Sequence, residues 1–248
     1  MTAALVLSFL LVAPLPSCDE PVPAHGRATA CEVRDLALPA TGALAVTNDV
    51  SGGITVSGWD RDEVAVRAVV RAYETDGRSP SELLAATVIK TDGGVLANRT
   101  AGGGWVEVRY EIYVPRGTDL ALQTNNGAVT VEGVEGQLRL DTNNGPVRLA
   151  DVGGDVEART RNGDVVVALC GPTWSGTGLR VSTNNGDVEL TVPDGYDALV
   201  EAATRYGAIG DRTPGFRPAT QTSRLHLGAG GPTLALATRY GDVRIARS

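Results

Sequence analysis

Five glycines, Gly127, Gly136, Gly145, Gly154 and Gly163, stand nine residues apart in four successive steps, and this spacing limits the fold more than any other feature. After each glycine comes one free position, an apolar residue, another free position and a second apolar residue. The apolar pairs are Val129/Val131, Leu138/Leu140, Val147/Leu149, Val156/Ala158 and Val165/Val167. Alternation with period two places both members on one face of a strand, and a helix would scatter them. The glycine marks a corner where φ can turn positive.

The nine-residue units come in two kinds. Thr124-Asn125-Asn126-Gly127, Thr142-Asn143-Asn144-Gly145 and Thr160-Arg161-Asn162-Gly163 recur every eighteen residues, with plainer corners at Gly136 and Gly154 between them. One coil is therefore about 18 residues, two strands and two unlike corners. The predicted fold is all-β: a β-solenoid, parallel β-helix-like, over residues 120–248. Stacking at eighteen aligns Val129, Val147 and Val165 inward, and separately Val131, Leu149 and Val167. Outward it sets Arg139 beside Glu157 and Asp141 beside Arg159, pairs worth about 0.2–1 kcal/mol each.

The pattern resumes at Leu179/Val181 and Thr183-Asn184-Asn185-Gly186 after a five-residue insertion, assigned to a loop from Gly171 to Gly178 that carries Trp174. Two further corners, Thr204-Arg205-Tyr206-Gly207 and Thr238-Arg239-Tyr240-Gly241, have tyrosine in place of the second asparagine. Gly210 to Gly231 is a longer, proline-containing excursion between them. Residues 32–119 are a looser β region expected to begin and cap the stack. Its strands are marked by Leu44/Val46, Ile54/Val56, Val64/Val66 and Val106/Val108, and Ser79-Pro80-Ser81-Glu82 marks a short helix start.

Composition agrees with many short strands. There are 31 glycines, and aromatic residues make up 4% of the chain, so the core must be aliphatic. A formal net charge of -7 without a Lys/Arg run argues against nucleic acid. Two histidines leave little for metal or acid–base chemistry, and no cofactor is expected.

Ala3 to Ala13 is short and apolar, as in an export signal. It runs into Leu15-Pro16-Ser17-Cys18, a lipobox-like end. Residues 1–18 are thus assigned to a signal peptide, with Cys18 as a lipidation site, and residues 19–31 to a tether. The membrane would be met only through that anchor, at the periplasmic or outer surface; plain secretion is the alternative. Lipid on Cys18 leaves Cys31 and Cys170 as a candidate disulfide pair. The register offers a competing role for Cys170, in line with Val134 and Val152 as a buried small hydrophobe.

Gly58-Trp59-Asp60-Arg61-Asp62-Glu63-Val64, Tyr113-Val114-Pro115-Arg116-Gly117 and the serial Asn-Gly corners together resemble the bacterial putative-adhesin family over residues 40–248. That resemblance implies an exported or membrane-tethered β-strand-repeat protein of unknown function and brings no catalytic residues with it.

Candidate contact residues are Asn125, Asn126, Asn143, Asn144, Asn162, Asn184 and Asn185, with Arg205, Tyr206, Arg239 and Tyr240. The asparagines suit a turning device, since Asn tolerates left-handed backbone and stacked amides bond along a ladder. They also suit a polar stripe for a glycan. Arg and Tyr are favoured at binding surfaces but can equally cover an irregular corner. Trp59 and Trp105 suit local packing. The Gly-Gly-x-Gly-x-Asp frame of calcium-binding β-rolls does not occur. Gly-x-Ser-x-Gly is also missing, and the glycine runs at 102–104 and 228–231 lead into strands. The expectation is a non-catalytic binding or display module at the cell envelope, facing an unknown envelope protein or glycan. A carbohydrate-active β-helix enzyme, and a structural or regulatory protein with only a protein partner, are the alternatives.

Overall fold

The structure is a computed structural model that describes residues 17–18, 28–75, 77–211 and 222–247. Residues 1–16 of the expected signal segment and most of the expected tether lie outside the described residues, as does the middle of the 210–231 excursion. The strands, in chain order, are β1 Thr29–Pro39, β2 Ala43–Ser51, β3 Ile54–Trp59, β4 Glu63–Tyr73, β5 Thr87–Asp92, β6 Val95–Thr100, β7 Trp105–Pro115, β8 Asp119–Asn126, β9 Val129–Glu132 and β10 Glu135–Asn144. They continue with β11 Val147–Ala150, β12 Gly153–Asn162, β13 Val165–Ala168, β14 Gly178–Asn185, β15 Val188–Val192, β16 Ala198–Tyr206, β17 Ile209–Asp211, β18 Thr222–Leu227, β19 Thr233–Tyr240 and β20 Val243–Arg247. One helix, α1 at Pro80–Ala86, precedes β5. Its N-terminus is closed by a reciprocal capping box between Ser79 and Glu82.

The chain is the expected β-solenoid. Each coil pairs one strand of a long-strand layer with one of a short-strand layer. Leu138 aligns with Val156, and Val147 with Val165, so the eighteen-residue register holds. Arg139 aligns with Glu157 and Asp141 with Arg159. The ion pair that Glu157 makes, however, is with Arg159, two residues along its own strand. The inward residues of both layers form one continuous aliphatic core. At roughly 1.5–3 kcal/mol for each fully buried side chain, this column holds the stack. The five-residue insertion is visible as Val156 aligning with Leu179.

Coil order departs from chain order at both ends. In the long-strand layer, β2 lies between β6 and β8, and β19 lies between β14 and β16. In the short-strand layer, β3 lies between β7 and β9, and β20 between β15 and β17. The last coil in sequence is thus sandwiched between two earlier ones. Both ends are finished by antiparallel strands: β4 on β7 and β1 on β4, β5 on β6, and β18 on β16. The region 32–119 therefore contributes two full coils as well as caps. A turned-back strand covers an edge that would otherwise template further pairing.

The cysteines differ from expectation. Cys18 is disulfide-bonded to Cys31, so Cys31 is not joined to Cys170, which is free. Cys31 lies on β1 at one end of the short-strand layer, and Cys170 follows β13, six strand spacings away. That is roughly 30 Å, far beyond the reach of a disulfide. Nor is Cys170 a buried hydrophobe. It is exposed where the chain leaves β13 for the inserted loop, and Trp174 from that loop is buried instead, its indole N–H donating to the Gly154 carbonyl at 3.0 Å.

Candidate binding surface

The Thr-x-Asn-Gly corner is a device for locking one coil onto the next. Thr142 is buried, and its hydroxyl donates to the carbonyl of Gly127 in the preceding coil at 3.1 Å. Thr160 does the same to Gly145 at 2.9 Å and Thr183 to Gly163 at 2.8 Å. These glycines sit one upon another. A Cβ on Gly145, where φ is +151°, would stand 2.1 Å from the Gly127 carbonyl oxygen, so only glycine lets the coils approach. Outside the glycines the amides bond along the stack. Asn144 donates to Asn126 at 2.9 Å, Asn162 to Asn144 at 2.8 Å, Asn185 to Asn162 at 2.7 Å, and Asn143 to Asn125 at 2.8 Å.

A second ladder follows the glycines. The Asp164 carboxylate accepts from the Asp187 backbone N–H at 2.9 Å, and Asp187 accepts from the Asp242 N–H at 2.8 Å. That backbone bond, then Arg244 at 2.6 Å, holds the Asp187 carboxyl below the usual aspartate range.

The two tyrosine corners continue the same columns. Tyr240 aligns with Asn185, and Tyr206 with Tyr240. The column Asn126, Asn144, Asn162, Asn185, Tyr240, Tyr206 is thus continuous, and Asn125, Asn143, Arg161, Asn184, Arg239, Arg205 runs beside it. The tyrosine rings stack with centroids 4.8 Å apart and planes 9° apart, and an arginine lies over each, 5.3 Å from the centroid. Both rings are exposed, Tyr206 at 53% and Tyr240 at 46%. All eleven contact candidates therefore lie on one ridge, but with two characters. The amide ladder spends its hydrogen bonds on itself, whereas the Arg–Tyr end presents rings and guanidinium groups outward.

Beside that end lies a groove of about 530 Å³ on the outer face of the long-strand layer. Its floor is Ala235 and Ala237 of β19 with Ala203 of β16. Arg159 and Arg180 wall one side, and Glu201 and Arg224 the other. Glu201 and Arg224 are ion-paired at 2.6 Å. Arg205 and Arg239 follow Ala203 and Ala237 by two residues on the same outward face. Sequence reasoning missed Arg180 and the alanine floor, because the groove exists only once β19 is placed between β14 and β16.

The motif residues near the other end meet in space. Trp59 stacks on Tyr113 with centroids 5.3 Å apart, and Arg116 pairs with Asp60 at 3.0 Å. Trp59 aligns with Pro115. These residues fasten β3 to β7, which is the packing role expected of Trp59. Among the described residues, no cluster of three or more His, Cys, Asp or Glu is placed to hold a metal ion, and no helix is long and apolar enough to cross a membrane.

A crystal structure of a "putative cell adhesion protein" from Clostridium sporogenes is similar in fold, with TM-score 0.53 and 12% identity over 88% of this chain and all of that one. A "putative adhesin" from Bacteroides fragilis overlaps 88% of this chain and 97% of its own at 10% identity, with TM-score 0.39. No curated protein matches the chain. The Toastrack DUF4097 profile matches residues 43–246, nearly the same span as the resemblance read from the sequence motifs, and the chain belongs to that family.

Proposed function

We propose that this protein is an exported, non-catalytic binding module that presents the Arg–Tyr end of its corner ridge and the adjoining groove at the cell envelope. The observation that carries this reading is the exposed Tyr206–Tyr240 stack with Arg205 and Arg239 over it. Where the fold needs only a turn, four coils use an asparagine amide, and two use a large ring left open to solvent. Rigid aromatics and arginine are the side chains that anchor interfaces. The adhesion-protein description of the Clostridium sporogenes fold relative is in keeping with such a role, and a disulfide between Cys18 and Cys31 suits an oxidising compartment outside the cytoplasm.

The test is capture of native envelope fractions on immobilised protein, comparing the natural chain with a Tyr206→Ser/Tyr240→Ser variant. Loss of retained material on the variant supports the reading; equal retention contradicts it. Attachment through lipid at Cys18, as the lipobox-like end suggests, is the alternative to the disulfide-bonded form. A thioether and the disulfide to Cys31 compete for one sulfur, so the anchored form must have Cys31 free. Palmitate labelling that disappears in Cys18→Ser supports the anchor. An unlabelled protein with Cys18 and Cys31 protected from alkylation overturns it.

A further inference from the structure

Three arginines of this acidic chain line one groove, and three more follow on the strands that line it. Arg159, Arg180 and Arg224 line it, and Arg161, Arg205 and Arg239 come two residues after the lining residues Arg159, Ala203 and Ala237 on β12, β16 and β19. The lining acids are Glu157 and Glu201, each already bonded to an arginine, Arg159 and Arg224. Arg180 makes no salt bridge among the described residues. With 29 acidic against 22 basic side chains in the chain as a whole, this is a local reversal of sign.

The shape is equally specific. Two or three residues of each strand line it, so its width along the strands is roughly 7–10 Å. The floor is three methyl groups, Ala203, Ala235 and Ala237, with Ser182 beside them, and the lining takes two or three residues from each of five successive strands, so the trough runs across the strands from Arg159 on β12 to Arg224 on β18. A trough of that width takes one extended chain, not a folded domain. Its apolar base suits the C–H faces of sugar rings. Guanidinium groups at intervals along the rim suit carboxylates spaced along a chain, which they take as paired, charge-assisted hydrogen bonds.

We infer that the groove binds a linear acidic polysaccharide, with Arg180, Arg205 and Arg239 holding its carboxylates and the alanine floor lying under its sugar rings. This rests on the binding-module reading and names the class of ligand for that surface. An extended acidic peptide is the alternative occupant, and the experiment separates the two.

The full chain is titrated calorimetrically with hexagalacturonate, with maltohexaose and with hexaglutamate, at low and at moderate salt. The expected result is binding of hexagalacturonate that weakens as salt rises, at least tenfold tighter than either other probe. Arg180→Ala, which removes no salt bridge, is expected to weaken it roughly tenfold with an unchanged melting temperature, and Arg239→Ala likewise. Equal binding of maltohexaose, equal or tighter binding of hexaglutamate, insensitivity to both substitutions, or no binding of hexagalacturonate overturns the inference. Envelope capture that depends on Tyr206 and Tyr240 while hexagalacturonate fails would leave the binding-module reading standing and remove only the ligand class.

Discussion

At the residue scale, the corner motif shows why particular side chains recur. Threonine is buried because its hydroxyl serves a carbonyl of the neighbouring coil; asparagine is outside because its amide both donates and accepts along the stack. Glycine is required by contact as well as by conformation. Gly145→Ala should destabilise by roughly 3 kcal/mol or more, since it combines a positive φ with a carbonyl 2.1 Å from the new carbon. Gly117→Ala meets no atom within 4 Å and should stay within about 0.5 kcal/mol. Urea unfolding of the two variants checks the contrast. Val147→Asp buries an unpaired charge in the core column and should lose about 3–5 kcal/mol by the same measurement. Unchanged unfolding would mean that the inward face is assigned wrongly. The Asp187 carboxyl has a lowered pKa in the fold, so its stabilisation is present above the ordinary aspartate range and is lost as pH falls through the lowered value. Asp187→Asn should therefore melt lower than the natural chain at pH 7, and the difference should vanish in strong acid. A gap that persists or widens in acid contradicts the ladder.

At the scale of elements, much of the architecture is legible in the sequence because its signals are local. Nine-residue glycine spacing, alternating apolar pairs and the Ser79/Glu82 capping box each act within a few residues, and each element appears where that signal lies. The order of the end coils has no such signal. β19 has the same alternation as β16, and nothing in either segment states which will lie against β14. That choice is made by long-range pairing. The disulfide failed for the same reason: cysteine parity names a possible pair, but not the distance between β1 and the exit of β13. The groove was invisible because most of its floor, Ala235 and Ala237, belongs to the last coil. Deletion of residues 232–248 should remove that floor and bare the facing edges of β14 and β16. Unpaired strand edges recruit other chains, so light scattering after size exclusion should show self-association. A monomer with the natural melting temperature would contradict the placement of the last coil.

At the scale of the whole molecule, turned-back strands finish both layers at one end of the stack and the long-strand layer at the other, and in between it offers two long outer faces. One ridge carries a regular ladder of amides that ends in paired arginines and tyrosines. The groove opens where the last coil has slipped in between its predecessors. Fold and candidate function therefore depend on the same event, the insertion of β19 and β20 between β14/β15 and β16/β17. Cysteine pairs on the outer face test it directly. Ser182 and Ala237 are register neighbours on β14 and β19, whereas Ser182 and Ala203 are separated by β19. Adjacent strands bring Cα atoms to about 5 Å, within disulfide range, and two spacings, roughly 10 Å, do not. Under mild oxidation, Ser182→Cys/Ala237→Cys should form an intramolecular bridge detectable by peptide mass mapping, and Ser182→Cys/Ala203→Cys should remain as thiols. A bridge in the second pair and none in the first would mean that the coils stack in chain order, and the groove as described would not exist.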